Sequence, residues 1–263
     1  MGTVVRNIRR ADRAVTDAFA DLGVATIHEA QQQTGLLYPA LRPIYPGAHI
    51  SGTAVTVSVP AGDNWMVHVA VEQCREGDIV LVAPTSHSDA GYIGELVATA
   101  LQWRGVRGLV VDAGVRDVAE LTRMGFPAWS RYVSAHGTVK ETLGDINVPT
   151  VCAGQRVEPG DVVVADDDGV VIVPRLRAAE VLEAARAREE TEAESRARYE
   201  TGELSLDIQG MRERLVQKGL VYVDQPEGEG ERQRAGGRGS EGEGERQRAG
   251  GRGSEGEGER QRP

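Results

Sequence analysis

Aromatic side chains are scarce in this sequence. They make up 4% of 263 residues. A core must therefore rest on Val, Leu, Ile and Ala. Cysteine is rarer still, with 2 in the chain, Cys74 and Cys152. That excludes a disulfide framework and any cysteine-based metal spacing; two small core residues in a reducing compartment are the expectation. The five histidines, 28, 49, 68, 87 and 136, show no paired metal-ligand spacing, which excludes a zinc protease or deaminase motif. No apolar run is long enough to span a bilayer. Arg6, Arg9 and Arg10 are not followed by an apolar segment, so no signal peptide is legible and a cytoplasmic location is expected. The formal net charge is −10 and no basic face is visible, which argues against a nucleic-acid partner held through phosphates. No glycine-rich phosphate loop is present, so a nucleotide cofactor is not indicated.

What is there centres on residues 94–120. Asp78 to Val82 reads as a buried strand. Leu96, Val97, Ala100 and Leu101 recur at helical spacing after Glu95, and Gly105 marks the stop. Gly108 to Asp112 is a second apolar, β-branched run, followed by a short loop at Ala113-Gly114-Val115. A strand–helix–strand unit of this kind is parallel, with a right-handed crossover. Its geometry brings Glu95 and Arg116-Asp117 to one mouth, at the carboxyl edge of the sheet where ligands bind. Taken alone, Asp117 can equally be an acidic helix start that complements the dipole.

The remaining chain predicts further elements. Residues 12–22 carry an amphipathic helix closed by Gly23. Thr26 is positioned to cap a second helix through Gln33. Residues 52–59 alternate like a strand, and Trp65 to Gln73 reads as a helix. Val118 to Met124 is a short helix, and a short strand follows Trp129. Residues 138–151 read as a loop with Lys140 and Glu141 exposed. Lys140 sits without the apolar surroundings that would make it a Schiff-base amine. His68 reads as a packed or hydrogen-bonded histidine. Val162 to Val173 is a hairpin with Asp168-Gly169 at its turn, which explains the acidic run 166–168 better than a metal cluster does. A long helix runs from Arg177 to Glu200 and a shorter one from Asp207 to Lys218. Globular character is expected over residues 1–223. Residues 224–263 are expected to be a disordered tail. From Glu227 a 14-residue Glu/Gly/Arg repeat begins, restarting at Glu241 and Glu255, without a large apolar residue. Its Arg-Gly-Gly steps are interleaved with glutamates and lack aromatics, which argues against RNA binding.

The 94–120 stretch resembles the signature of the 4-hydroxy-4-methyl-2-oxoglutarate / 4-carboxy-4-hydroxy-2-oxoadipate aldolases, the class II pyruvate aldolases. That signature is an acidic residue, twenty residues, then Arg-Asp; here residues 96–115 supply the twenty. The segments 62–68, 137–142 and 165–170 match as well, so the resemblance covers roughly residues 5 to 220. The first acid is often Asp in that family and is Glu95 here. The resemblance implies an α/β fold, a layered αββα-type sandwich with a mixed central sheet. It implies that Asp117 is the direct protein ligand of Mg²⁺ or Mn²⁺. Glu95, and Glu192 from a neighbouring subunit, would hold metal-bound water. Arg116, Gly94 and the backbone amides of Leu96 and Val97 would bind the pyruvyl part of a 2-oxo acid substrate. A homotrimer or homohexamer is implied. The activity expected is retro-aldol cleavage in aromatic-acid degradation, with oxaloacetate decarboxylation as a side activity. The related regulators of ribonuclease E activity share the fold, so a non-catalytic, protein-binding regulator is the alternative.

Overall fold

The computed structural model describes residues 1–224. The repeat tail expected from Glu227 lies outside the described residues. The chain divides into one unit over Met1–Ile208 and a second from Gln209 onward. The larger unit holds α1 (Arg13–Ala18), a 3₁₀ turn at Phe19–Asp21, α2 (Val24–Ala30), β1 (Arg42–Pro43), β2 (Ile50–Val59), α3 (Trp65–Gln73), β3 (Asp78–Pro84) and β4 (Gly91–Ile93). It continues with α4 (Glu95–Trp103), β5 (Gly108–Val115), α5 (Val118–Arg123), β6 (Ala128–Val133), β7 (Asp145–Ile146), β8 (Thr150–Cys152) and β9 (Gln155–Val157). Then come β10 (Val162–Asp166), β11 (Gly169–Val173), α6 (Ala178–Glu200) and α7 (Ser205–Ile208). The second unit contributes α8 (Arg212–Gln217).

The principal sheet runs β1-β6-β5-β3-β2-β10-β11, with β4 added to β5 and β7 to β2. Its centre, β2-β3-β5-β6, is parallel, and its flanks are antiparallel, so the sheet is mixed as expected. The sheet is nearly closed by one connection. Leu37 N–H donates to Val170 O on the β11 edge, and Ile44 N–H donates to Ala128 O at the start of β6 on the opposite flank. Alternate residues then face three apolar clusters. Ile79, Leu81, Val110, Trp129, Val163 and Ile172 fill the inside of the curl. Val80, Val82, Leu109 and Val111 turn outward to the cluster that α3 and α4 complete. Val162, Val164, Val171 and Val173 turn to Phe19, Ile27 and Leu182 of the opposite helical layer. The result is helix, sheet, sheet, helix. Both strand faces are buried, at about 1.5–3 kcal/mol per large side chain, so a low aromatic content suffices.

Several local expectations need correction. Thr26 is not a cap: α2 begins at Val24, whose N–H is taken by Asp166 Oδ2 at 2.8 Å, 142 residues away. The helix stops at Ala30, and Gln32 and Gln33 are left-handed, with φ of 61° and 57°. β2 does not alternate in exposure, because partners on both sides and cores on both faces bury it almost throughout. The hairpin is present, but its two-residue loop is Asp167-Asp168 and Gly169 already pairs with Asp166. Asp166 Oδ1 and Gly47 N–H satisfy that turn instead. The single helix expected over 207–218 is two short ones, interrupted where Gly210 takes φ +60°. Finally, 113–115 is strand rather than loop. β4 pairs alongside it, Gly91 with Gly114 and Ile93 with Val115, so β5 runs directly into Arg116.

Candidate active site

A cleft of about 400 Å³ opens along β4 and at the carboxyl end of β5. One wall comes from the strand–helix–strand unit: Gly94, Leu96, Val97, Arg116 and Asp117. Sequence reasoning placed these five together, and they do converge.

The convergence depends on Gly94. A Cβ there would stand 2.1 Å from Asp117 Oδ2 and 3.0 Å from Arg116 Cγ. Any larger residue would displace both side chains. With glycine present, Asp117 Oδ2 accepts the N–H of Glu95 at 3.0 Å and so caps α4 from across the sheet edge. Asp117 holds φ 56° and ψ 39°, a left-handed conformation uncommon outside glycine. Arg116 is fixed at its backbone by Ile93 O, at 3.0 Å, and its Nε lies 3.8 Å from Asp117 Oδ2. Both side chains keep almost half their surface open to solvent.

The first turn of α4 completes this wall. Its first helical hydrogen bond is from Ala98 N–H to Gly94 O. Glu95 N–H is used by Asp117. The N–H groups of Leu96 and Val97 have no protein acceptor among the described residues. Two free amide donors at a helix N-terminus, beside a guanidinium, form a ready anion site.

Two expected members stand apart. Glu95 does not line the cleft; its Oε1 accepts the Thr99 hydroxyl at 3.1 Å, along its own helix. Glu192 is on α6 and lines no part of its own chain's cleft. It lies 2.8 Å from Arg188 Nε, and Thr26 Oγ1 donates to it at 3.4 Å.

A second stretch of the lining holds Asn64, His68, Tyr92, Thr138 and Lys140. Sequence reasoning gave these residues no shared role, although the matching segments 62–68 and 137–142 carried a signal for four of them. His68 is exposed at the cleft rather than packed or hydrogen-bonded, which corrects the expectation for it. Burial of its ring by the cleft walls, followed by the Lys140 charge, pushes its pKa down, so it is neutral at neutral pH. Asn64 is buried. Its Nδ2 donates to Tyr92 O at 2.8 Å, and its Oδ1 has no partner among the described residues. The segments are laced through Asp63, 2% exposed, which accepts the N–H groups of Trp65, Glu141 and Thr142 at 2.9, 2.8 and 2.7 Å. Burial alone would raise the Asp63 pKa. Those three N–H donors and the Lys140 charge outweigh it, and the carboxyl is held below the usual range.

The family model described as RraA-like, Aldolase/RraA, matches residues 14–172. A relative in Halalkalibacterium halodurans is 29% identical over 180 residues, covering 68% of this chain and 86% of the relative. It is provisionally named 4-hydroxy-4-methyl-2-oxoglutarate aldolase, as is one in Burkholderia multivorans, 31% identical over 59% of this chain and 95% of the relative. Among solved structures, Streptomyces coelicolor RraAS2, titled an unusual member of the RNase ES inhibitor RraA protein family, superposes with a TM-score of 0.65. It is 26% identical and covers 72% of this chain and 98% of its own. An uncharacterized protein from Pseudomonas syringae pv. tomato gives 0.67 at 24% identity, over 77% of this chain and 100% of its own, which concerns the fold alone.

Proposed function

This chain belongs to the RraA-like family, Aldolase/RraA, and on that premise we propose that its cleft performs metal-dependent retro-aldol cleavage. The substrate is a 4-hydroxy-2-oxo acid with carboxylates at both ends: 4-hydroxy-4-methyl-2-oxoglutarate or 4-carboxy-4-hydroxy-2-oxoadipate. The products are pyruvate and a second 2-oxo acid, pyruvate or oxaloacetate. Names of relatives at about 30% identity support the lyase class. The observation that carries the reading is the pair of unused N–H groups at Leu96 and Val97 beside Arg116 and Asp117.

The donor set fits a hard divalent cation. Among the described residues no cluster of three His, Cys, Asp or Glu exists that could cage a metal. Asp117 Oδ2 is engaged by an amide, Oδ1 has no hydrogen bond among the described residues, and the carboxylate is 42% exposed. One open carboxylate with room for waters suits Mg²⁺ or Mn²⁺. Asp117 would hold the ion directly. When bound, the ion supplies Lewis acidity at the keto oxygen of the substrate.

This chain's own residues do the rest. The Leu96 and Val97 amides bind the pyruvyl carboxylate. Arg116 donates to the keto oxygen and stabilises the negative charge that grows there as the C3–C4 bond breaks. The C4 hydroxyl gives up its proton as its carbon becomes the new carbonyl, and C3 of the enolate left behind takes up a proton to complete pyruvate. Glu95 can orient a water for that transfer after turning from Thr99. Glu192 completes the water shell from a neighbouring subunit, in a trimer or hexamer. It lines no part of its own chain's cleft, which is compatible with that role. Decarboxylation of oxaloacetate passes through the same developing charge and is a side activity.

The regulator reading shares the fold and needs none of the free amides, the glycine-enforced carboxylate or the open guanidinium. Incubation with each of the two substrates tests the aldolase reading. Pyruvate should appear in step with substrate loss, and borohydride should trap no imine. Absence of turnover with both substrates, or a trapped adduct at Lys140, would overturn it.

A further inference from the structure

The stretch of lining that holds Asn64, His68, Thr138 and Lys140 is not explained by the chemistry at C2 to C4, and it holds the cleft's remaining cation. We propose that Lys140 is the specificity-determining residue that receives the distal carboxylate of the substrate, and that Asp63 is the positioning residue that fixes Lys140 there. The proposal rests on the aldolase reading of the same cleft.

Three observations lead to it. First, Lys140 lines the same cleft as Arg116 and Asp117 and makes no ion pair among the described residues. An ammonium left open at a cleft wall is available to an anion. Second, the backbone around Lys140 is held on both sides although it belongs to an irregular segment. Val139 N–H donates to Gly62 O at 2.9 Å, and Asn64 N–H donates to Val139 O at 3.1 Å. On the other side, Glu141 and Thr142 N–H groups both donate to Asp63 Oδ2. Asp63 Oδ1 takes Trp65 N–H, so the same carboxylate ties the loop to the start of α3. The base of the Lys140 side chain is thereby pinned, and only its flexible stem needs ordering when a ligand binds. Third, the alternative cation on this wall, His68, is neutral at neutral pH for the reasons given above. Lys140 is left as the positive group.

The substrate's chemistry completes the match. One carboxylate is held at the Leu96 and Val97 amides. The other, at C4, is then within the same cleft as Lys140, where a charge-assisted bond discriminates a carboxylate from an alkyl group. The buried Oδ1 of Asn64, unpartnered among the described residues, is an acceptor only and offers a carboxylate no hydrogen bond.

The test measures kcat and KM for two substrates in the native assembly: the dicarboxylate, and a 4-hydroxy-2-oxo acid with a methyl in place of the distal carboxylate. The quantity read is the ratio of their kcat/KM values. In Lys140→Met that ratio should fall about tenfold, mainly through KM of the dicarboxylate, as expected for one solvent-screened charged hydrogen bond. Lys140→Arg should restore most of it. Asp63→Ala should lower the ratio like Lys140→Met, and Asp63→Asn by less, since its amide oxygen can still accept from residue 141 or 142. Should Asp63→Ala not fold, Lys140→Met removes no backbone bond and still decides. An unchanged ratio in Lys140→Met, or equal losses on both substrates, would overturn the proposal while leaving the aldolase reading intact. A wild-type protein inactive on both substrates would instead overturn the reading, and the proposal with it.

Discussion

The two walls of the cleft are built in different ways. The wall with Arg116 and Asp117 comes from one contiguous unit, β3 through α5, in which a parallel sheet delivers its functional groups to one edge. The wall with Asn64, His68 and Lys140 is assembled from segments some 78 residues apart, joined by a buried carboxylate and by a short backbone bridge between residues 62–64 and Val139. The first wall carries the chemistry and tolerates little change, because Gly94, Arg116 and Asp117 occupy one another's van der Waals limits. The second wall sets what else can bind. Damage to the first should therefore appear in kcat, and damage to the second in KM and selectivity.

The largest expected effect is at Asp117. Asp117→Ala should lower kcat on the order of a thousandfold, since it removes the one open carboxylate and the cap on Glu95 N–H. Steady-state pyruvate release checks this, and a loss confined to KM would erase the distinction between the walls. Arg116→Lys comes next, with a loss in rate on the order of a hundredfold, because a point charge copies a directional guanidinium poorly. Gly94→Ala should cost about 1–3 kcal/mol of stability from overpacking, with a fall in kcat as Asp117 swings aside. Urea unfolding together with turnover measures both. Its backbone φ of −130° suits any residue, so the damage would come from the clash and not from the chain.

The smallest effect sharpens the second wall. The folded-state pKa of Asp63 lies below its ordinary value of 3.8. The stability it contributes is then fully present above pH 3.8 and is lost as pH falls through the lower, folded value. The wild-type protein should lose stability on that acid limb, and Asp63→Asn should show a shallower one. Urea midpoints at a series of pH values make the comparison; equal slopes would show that Asp63 is not held in its charged form.

Legibility in the sequence follows the same division. The helix over Trp65–Gln73 and the β3–α4–β5 unit were readable because period and glycine stops lie within one window. That the start of α4 meets Arg116-Asp117 across twenty residues also followed from parallel topology, although Glu95 takes part through its backbone N–H and its side chain turns to Thr99. What escaped depends on distant partners. Asp166 caps α2 where Thr26 was expected to, and β4 extends β5 through Val115. Lys140 read as a solvated loop residue because the bonds that hold its neighbours, from Gly62, Asp63 and Asn64, come from far along the chain, and no local pattern reports them. Glu192 is the reverse case, a residue that only resemblance ties to the cleft. Mixing Asp117→Ala with Glu192→Ala subunits after dissociation and reassembly should raise activity above either parent if the neighbour's Glu192 serves the site.

The most direct measurement is pyruvate release from 4-hydroxy-4-methyl-2-oxoglutarate during titration with a chelator, followed by return of Mg²⁺ or Mn²⁺. Activity should fall to background as the chelator passes the metal concentration and should return with either ion, while Asp117→Ala stays inactive throughout. Undiminished turnover in excess chelator would contradict a metal-dependent aldolase centred on Asp117.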